Sequence, residues 1–144
     1  MLSPTELQEA RRKAADRYFE IGMAHLPEGW THEFRKSLTG MCHGKRKHVC
    51  GPRPVTRKSL YIWLHECAHA HLHFGKGGKR KPRHVEEMEA EQWAHARMRK
   101  HGIAVPRSMT TRAQAYVGRK IKQAEARGAK KIDPAAKRFA REKK

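Results

Sequence analysis

Aspartate is almost missing from this chain, with Asp16 and Asp133 the only two, and the acidic residues together number 14 against 33 Lys and Arg. That scarcity argues against a metal-dependent nuclease, even though the histidine-rich segments 43–48 and 65–73 would offer ligands for one. Cysteine is equally sparse. Cys42, Cys50 and Cys67 are too few and too unevenly placed for a disulfide-stapled secreted domain, so a reducing, cytoplasmic setting is expected. There is no long apolar run either: residues 60–74, the most apolar window, are interrupted by His65, Glu66, His69, His71 and His73 and cannot span a bilayer. The first residues run from Ser3-Pro4-Thr5-Glu6 into a charged segment without an apolar signal core, so no export signal and no membrane partner are expected.

What is abundant is positive charge. The net charge of +19 over 144 residues exceeds what solubility needs and points to nucleic acid or another polyanion as a neighbour. Residues 97–144 hold 16 Lys and Arg against Glu125, Asp133 and Glu142. A second basic stretch lies in the Gly-rich loop 75–83. Candidate nucleic-acid contacts are Lys76, Lys79, Arg80, Lys81 and Arg83 in that loop, and Arg112, Arg119, Lys120 and Lys122 on a later basic helix.

The length suits one domain with a modest core. Ser3 with Glu6 forms a capping box and Pro4 occupies the first helical position, so a helix is expected to about His25, ended by Pro27-Glu28-Gly29. Residues 33–54 change to short mixed runs around Gly44-Lys45-Arg46, the pattern of a hairpin or small sheet. Thr56 can cap a helix over residues 57–73, and another is expected from about His84 to His101, closed by Gly102. Beyond Pro106, Thr110 or Thr111 should open a basic amphipathic helix, and Asp133-Pro134 a short last one. The expected architecture is α+β: a mainly helical, zincin-like single domain with a small hairpin or sheet beside the metal-binding helix. Residues 1–106 would form the metallopeptidase domain and 107–144 a basic helical extension.

The chemistry is concentrated in His65-Glu66-Cys67-Ala68-His69. Two histidines four apart project imidazoles from adjacent helical turns, close enough to share one tetrahedral Zn²⁺ while leaving room for a third ligand and water. Glu66 sits on the edge of the same stripe, where it can act as general base on a zinc-activated water. Trp63, Cys67, Leu60, Leu64, Ala70 and Phe74 cover the opposite, apolar side. A metzincin would need Gly at 72 and His at 75, where this chain has Leu72 and Gly75, so that class is excluded. The third ligand is sought instead among Glu86, Glu87, Glu89 and Glu91. Glu87 and Glu91 share a stripe with Ala90, Ala94 and Met98, while Glu86 and Glu89 project toward the charged side. Glu87 is therefore the expected third ligand, and Glu91 the carboxylate that orients a liganding histidine. His73 either borders the site, replaces a ligand, or has a hydrogen-bonded structural role, and His71 is expected in the core. Cys42, His43, His48 and Cys50 form a further cluster, but their spacing is unlike a zinc knuckle and packing is the expected role of the thiols. For a donor to the reacting oxygen, His43, His48, His95, His101 and Tyr116 all remain open.

The run His65-Glu66-Cys67-Ala68-His69-Ala70-His71-Leu72-His73, followed by Glu86-Glu87-Met88-Glu89-Ala90-Glu91-Gln92-Trp93-Ala94, resembles the gluzincin-like zinc metallopeptidases, in particular the ImmA/IrrE and ArdC-like antirestriction groups. The resemblance covers about 30 residues. It implies a mixed fold with a small sheet beside the metal helix, His65, His69 and Glu87 as zinc ligands, and Glu66 as base. Peptide hydrolysis near nucleic acid is then the first functional expectation, with a protein or peptide as substrate. The second is a DNA-binding module of the antirestriction, phage or plasmid kind, whose zinc site is structural or non-catalytic.

Overall fold

The computed structural model describes residues 1–141. Helix α1 (Pro4–Ala24) begins at the expected capping box: the Ser3 side chain accepts from the Glu6 amide, and Glu6 accepts from the Ser3 amide. Three short strands follow, β1 (Thr31–Arg35), β2 (Met41–His43) and β3 (His48–Pro52), in the spatial order β1-β3-β2. Strands β2 and β3 form the expected hairpin, and β1 adds to the far side of β3 in parallel register, pairing Glu33 with Cys50. Strand β2 is thus an edge. The turn between β2 and β3 needs Gly44, because a Cβ there would lie 2.1 Å from Cδ1 of Phe74.

Helix α2 (Arg57–His69) is capped by Thr56, with Ser59 closing the reciprocal bond, and is buried along nearly its whole length. Instead of running on regularly to residue 73, the chain widens into a π-helical turn over Ala70–Phe74. Such turns recur at functional sites because they re-aim side chains. Helix α3 (Arg83–Lys100) ends where Gly102 adopts φ +71° and the Ile103 amide returns to the Met98 carbonyl. Helix α4 (Arg107–Ala126) starts earlier than expected, at Arg107 instead of Thr110 or Thr111. Pro106 presets φ at −60°, and burial of Met109 and Thr110 draws the preceding residues into the helix. Helix α5 (Pro134–Arg141) opens as expected, with the Asp133 carboxylate accepting from the Ala136 amide.

Three apolar clusters hold these elements around α2 and α3. Leu60, Leu64, Ala94 and Met98 join α2 to α3, with Ile21 from α1 and Met109 from α4. Trp63, Cys67 and Ala70 pack on Trp30 and Val49, fixing the sheet against α2, and the Trp63 indole donates to the Gly22 carbonyl at 2.8 Å. Met88, Val117, Ile121 and Ala136 join α3, α4 and α5. The molecule is therefore mainly helical with a small three-stranded sheet. No helix among the described residues is long and apolar enough to cross a membrane.

His71 corrects one expectation. It is exposed, not in the core: the π-helical turn swings it outward, its ring stacks on Trp93 and its Nε2–H donates to the His25 carbonyl at 2.7 Å. Glu86 corrects another. It is fully buried, because α3 is covered on two sides, and the carboxylate turned away from α2 is met by Arg80 Nε at 2.8 Å and the Lys81 amide at 3.0 Å.

Candidate metal centre

His65 and His69, one turn apart on α2, bring their Nε2 atoms to 3.1 Å from each other. Glu87, reaching across from α3, places Oε2 3.0 Å from His65 Nε2 and Oε1 3.3 Å from His69 Nε2. A tetrahedral ion with ~2.05 Å bonds sets its ligand atoms about 3.3 Å apart, so these three side chains already stand at ligand spacing. The donor set fits a metal in a second way. Both Glu87 oxygens are buried and neither receives a hydrogen bond of acceptable geometry, although Arg83 reaches Oε1 at 2.9 Å. Buried carboxylate oxygens are normally satisfied, and a cation between Glu87 and the imidazoles would satisfy them. Glu66 offers an oxygen within 4.8 Å of the two imidazoles, and His65, Glu66 and His69 form a group that could hold a metal ion.

Supporting contacts continue on both sides. His65 Nδ1 pairs with Glu91 Oε1, whose other oxygen accepts from the Tyr61 hydroxyl. His69 Nδ1 lies 3.1 Å from His73 Nδ1, His73 Nε2 lies 3.0 Å from Glu89 Oε1, and Lys81 Nζ reaches Glu89 Oε2 at 2.6 Å. Each imidazole is thus oriented through the ring nitrogen that faces away from the centre. Of these residues Glu91 and His73 carry recognisable signals in the sequence. Tyr61 has none, and Glu89, expected on the charged side, meets His73 one turn beyond His69.

Burial and neighbours separate the charge states. Burial disfavours the His65 cation, but Glu91 and Glu87 outweigh it and push this imidazole well above its ordinary value. His69 goes the other way, lowered to about 4 by burial with His65 adding to the effect, so it is neutral at neutral pH. Burial also works against a charged Glu87, yet its contacts with His65 and His69 hold it far below the usual carboxylate range. Glu66 is raised to about 7, by burial first and by the charge of Glu87, against the opposing pull of His65. A carboxylate poised near neutrality beside a metal-competent cluster suits proton transfer.

These residues form the floor of a cleft of about 380 Å³. One wall is the edge of the sheet, Thr39 to Cys42, and the other comes from α4 through Met109, Arg112, Ala113 and Tyr116. Gly40 is required there: a Cβ would sit 2.6 Å from Cγ of Glu66. Arg112 ties the two walls together by donating to the Leu38 carbonyl at 3.2 Å. Residues beyond position 106 therefore help to build the cleft. Cys42 lines it as a protonated thiol, its pKa raised to about 12 by burial. Among the described residues, Cys42, His43, His48 and Cys50 do not form a group close enough to hold a metal. Of the five open donor candidates, Tyr116 lines the cleft and the other four do not.

The basic residues singled out from the sequence have different surroundings. Lys76, Lys79 and Lys122 are exposed. Arg80 stacks on Phe74 and holds Glu86, Lys81 holds Glu89, and Arg83 holds Glu87. Arg119 and Lys120 lie over the Tyr116 ring.

Comparison with known protein families, curated proteins and solved structures finds no match to this chain.

Proposed function

We propose that this chain is a zincin-like, gluzincin-type metallopeptidase that binds one Zn²⁺ through His65, His69 and Glu87 and hydrolyses peptide bonds. The observation that carries the reading is the convergence of two imidazole nitrogens and a buried carboxylate at ligand spacing on the floor of a cleft whose rim is a sheet edge. Nitrogen and oxygen donors in that number favour zinc, and leave a position for water. Zinc there would polarise the scissile carbonyl and lower the pKa of a water toward neutrality.

The chain's own residues supply the rest. Glu66 takes the proton from the attacking water and returns it to the leaving amine, a double duty suited to a carboxyl whose pKa is raised to about 7. The free edge of β2 can align an extended peptide as an added strand. Tyr116 and Arg83, both in the cleft lining, can donate to the oxygen on which charge develops. Glu91 with Tyr61, and His73 with Glu89, keep the two imidazoles in their liganding orientations.

Cleavage of an unstructured protein substrate by zinc-loaded native chain and by Glu66→Gln tests this reading. The expected result is zinc retained and cleavage lost in the variant. A second reading is a nucleic-acid-binding module in which the metal only stabilises the fold, and the net charge of +19 favours it. Equal cleavage, or none, by both proteins would favour that reading. Under either, nucleic acid is the proposed neighbour in a cytoplasmic setting.

A further inference from the structure

A second concavity, of about 350 Å³, lies on the other side of Arg83 from the metal cleft. Its walls are the start of α3, the C-terminal half of α4 and the turn that follows α4. The charged and polar side chains in its lining are Arg83, His84, Lys120, Arg127 and Lys131, with no carboxylate among them. Arg83 lines both concavities, so they adjoin.

This pocket is held in shape by the fold. Gly128 at φ +89° turns the chain at the end of α4, and the Ala129 amide returns to the Ala124 carbonyl at 3.0 Å. Buried His84 accepts from the Asp133 amide at 3.2 Å, which pins the turn against the start of α3. Arg83 is paired with Glu87 at 2.9 Å, but the other cations are more available than Arg80 and Lys81 of loop 75–83. Arg80 and Lys81 are engaged with Glu86 and Glu89, whereas Arg127 and Lys131 are exposed and pair with no carboxylate among the described residues. Lys120 is held over the Tyr116 ring, a contact that leaves its charge unneutralised.

We propose that this pocket takes a backbone phosphate of a nucleic acid, which then runs along the α4 side of the molecule past the mouth of the metal cleft. The proposal builds on nucleic acid as neighbour and is independent of catalysis. A concave site lined by several cations, of which only Arg83 is paired with a carboxylate among the described residues, is what phosphate recognition needs, and it gains affinity by releasing counterions. The charge elsewhere on the chain provides the internal control. Helix α1 carries Arg11, Arg12 and Lys13, all exposed, and α1 touches the opposite end of α3, where Arg17 bonds to the His101 carbonyl. The 18 residues of α3 span about 27 Å between the pocket and the Arg17 contact, and Arg11, Arg12 and Lys13 lie on α1 within about two turns of that contact.

The test measures binding of a short fluorescein-labelled DNA duplex to the full chain over a range of salt, for two triple variants of equal charge change. Lys120→Gln/Arg127→Gln/Lys131→Gln should lose at least about tenfold in affinity and flatten the log–log salt slope by up to about 3. Arg11→Gln/Arg12→Gln/Lys13→Gln should stay within about threefold of native. Matched melting temperatures confirm that both fold, and the single variant Lys131→Gln, with a slope change of about 1, serves if the first triple does not. Equal losses in the two triples would overturn the pocket while leaving nucleic-acid binding in place. No duplex binding by the native chain would overturn the nucleic-acid neighbour itself. Inorganic phosphate provides the last arm: protection of the pocket by phosphate, with duplex affinity unchanged in the pocket triple, would make it a small-anion site and overturn the proposal.

Discussion

Nδ1 of His73 stands 3.1 Å from Nδ1 of His69, and the far nitrogen of His73 meets Glu89 at 3.0 Å. With both rings buried, this sets the tautomers: His73 donates its Nε2–H to Glu89, its bare Nδ1 accepts from His69 Nδ1–H, and Nε2 of His69 is left as a lone pair facing Glu87 and His65. His73→Phe should therefore lower zinc affinity by roughly 10 to 100-fold, and Glu89→Gln by less, since loss of an orienting partner typically costs that much. Competition with a chelating dye measures both. Native affinity in His73→Phe would show that the contact is packing alone.

Zinc binding should release protons. Without metal, His65 is held as the cation at neutral pH because Glu91 and Glu87 outweigh its burial, whereas His69, lowered to about 4, is already neutral. His65 would have to give up its Nε2 proton to ligate zinc, so affinity should rise with pH up to the raised His65 value and level off above it. Calorimetry at neutral pH in buffers of different ionisation enthalpy should find about one proton released per zinc from this site. Zero release would mean that His65 is not the protonated partner.

Gly40→Ala should separate metal binding from catalysis. The new Cβ would fall 2.6 Å from Cγ of Glu66, so either Glu66 or the sheet edge must move. Displacing a reacting group by ~1 Å can cost about 100-fold in rate. Cleavage should drop by at least about tenfold with zinc content unchanged, read from turnover and metal analysis on the same preparation.

Trp63 anchors the site from behind. Its indole is completely buried between the sheet and α1. Trp63→Ala should destabilise the fold by about 3 to 5 kcal/mol in denaturant titration, and zinc should recover part of that loss by binding only the folded state.

Several elements were legible in the chain because their signals are local. Ser3 with Glu6, Thr56, Gly102 and Asp133 each mark a helix boundary through side-chain or backbone chemistry within four residues. The four-residue spacings of His65 with His69 and of Glu87 with Glu91 put each pair on one helical face. What could not be read depends on which elements meet. Glu86 looked solvated until loop residues Arg80 and Lys81 closed over it. Glu89 meets His73 on the π-helical turn, which nothing in Ala70-His71-Leu72-His73-Phe74 announces. Tyr61 packs in the core, and its hydroxyl serves Glu91, a pairing no local signal foretells. The basic segment after Pro106 reads as an extension, whereas its first helix forms a wall of the cleft.

The most direct test of the central claim is the zinc content of native protein and of Glu87→Ala after dialysis against trace metal. One zinc per native chain is expected, and in the variant a loss or at least a large fall in affinity, because Glu87 would contribute a ligand oxygen between the two imidazoles. Undiminished binding in Glu87→Ala, or no zinc in the native protein, would contradict it.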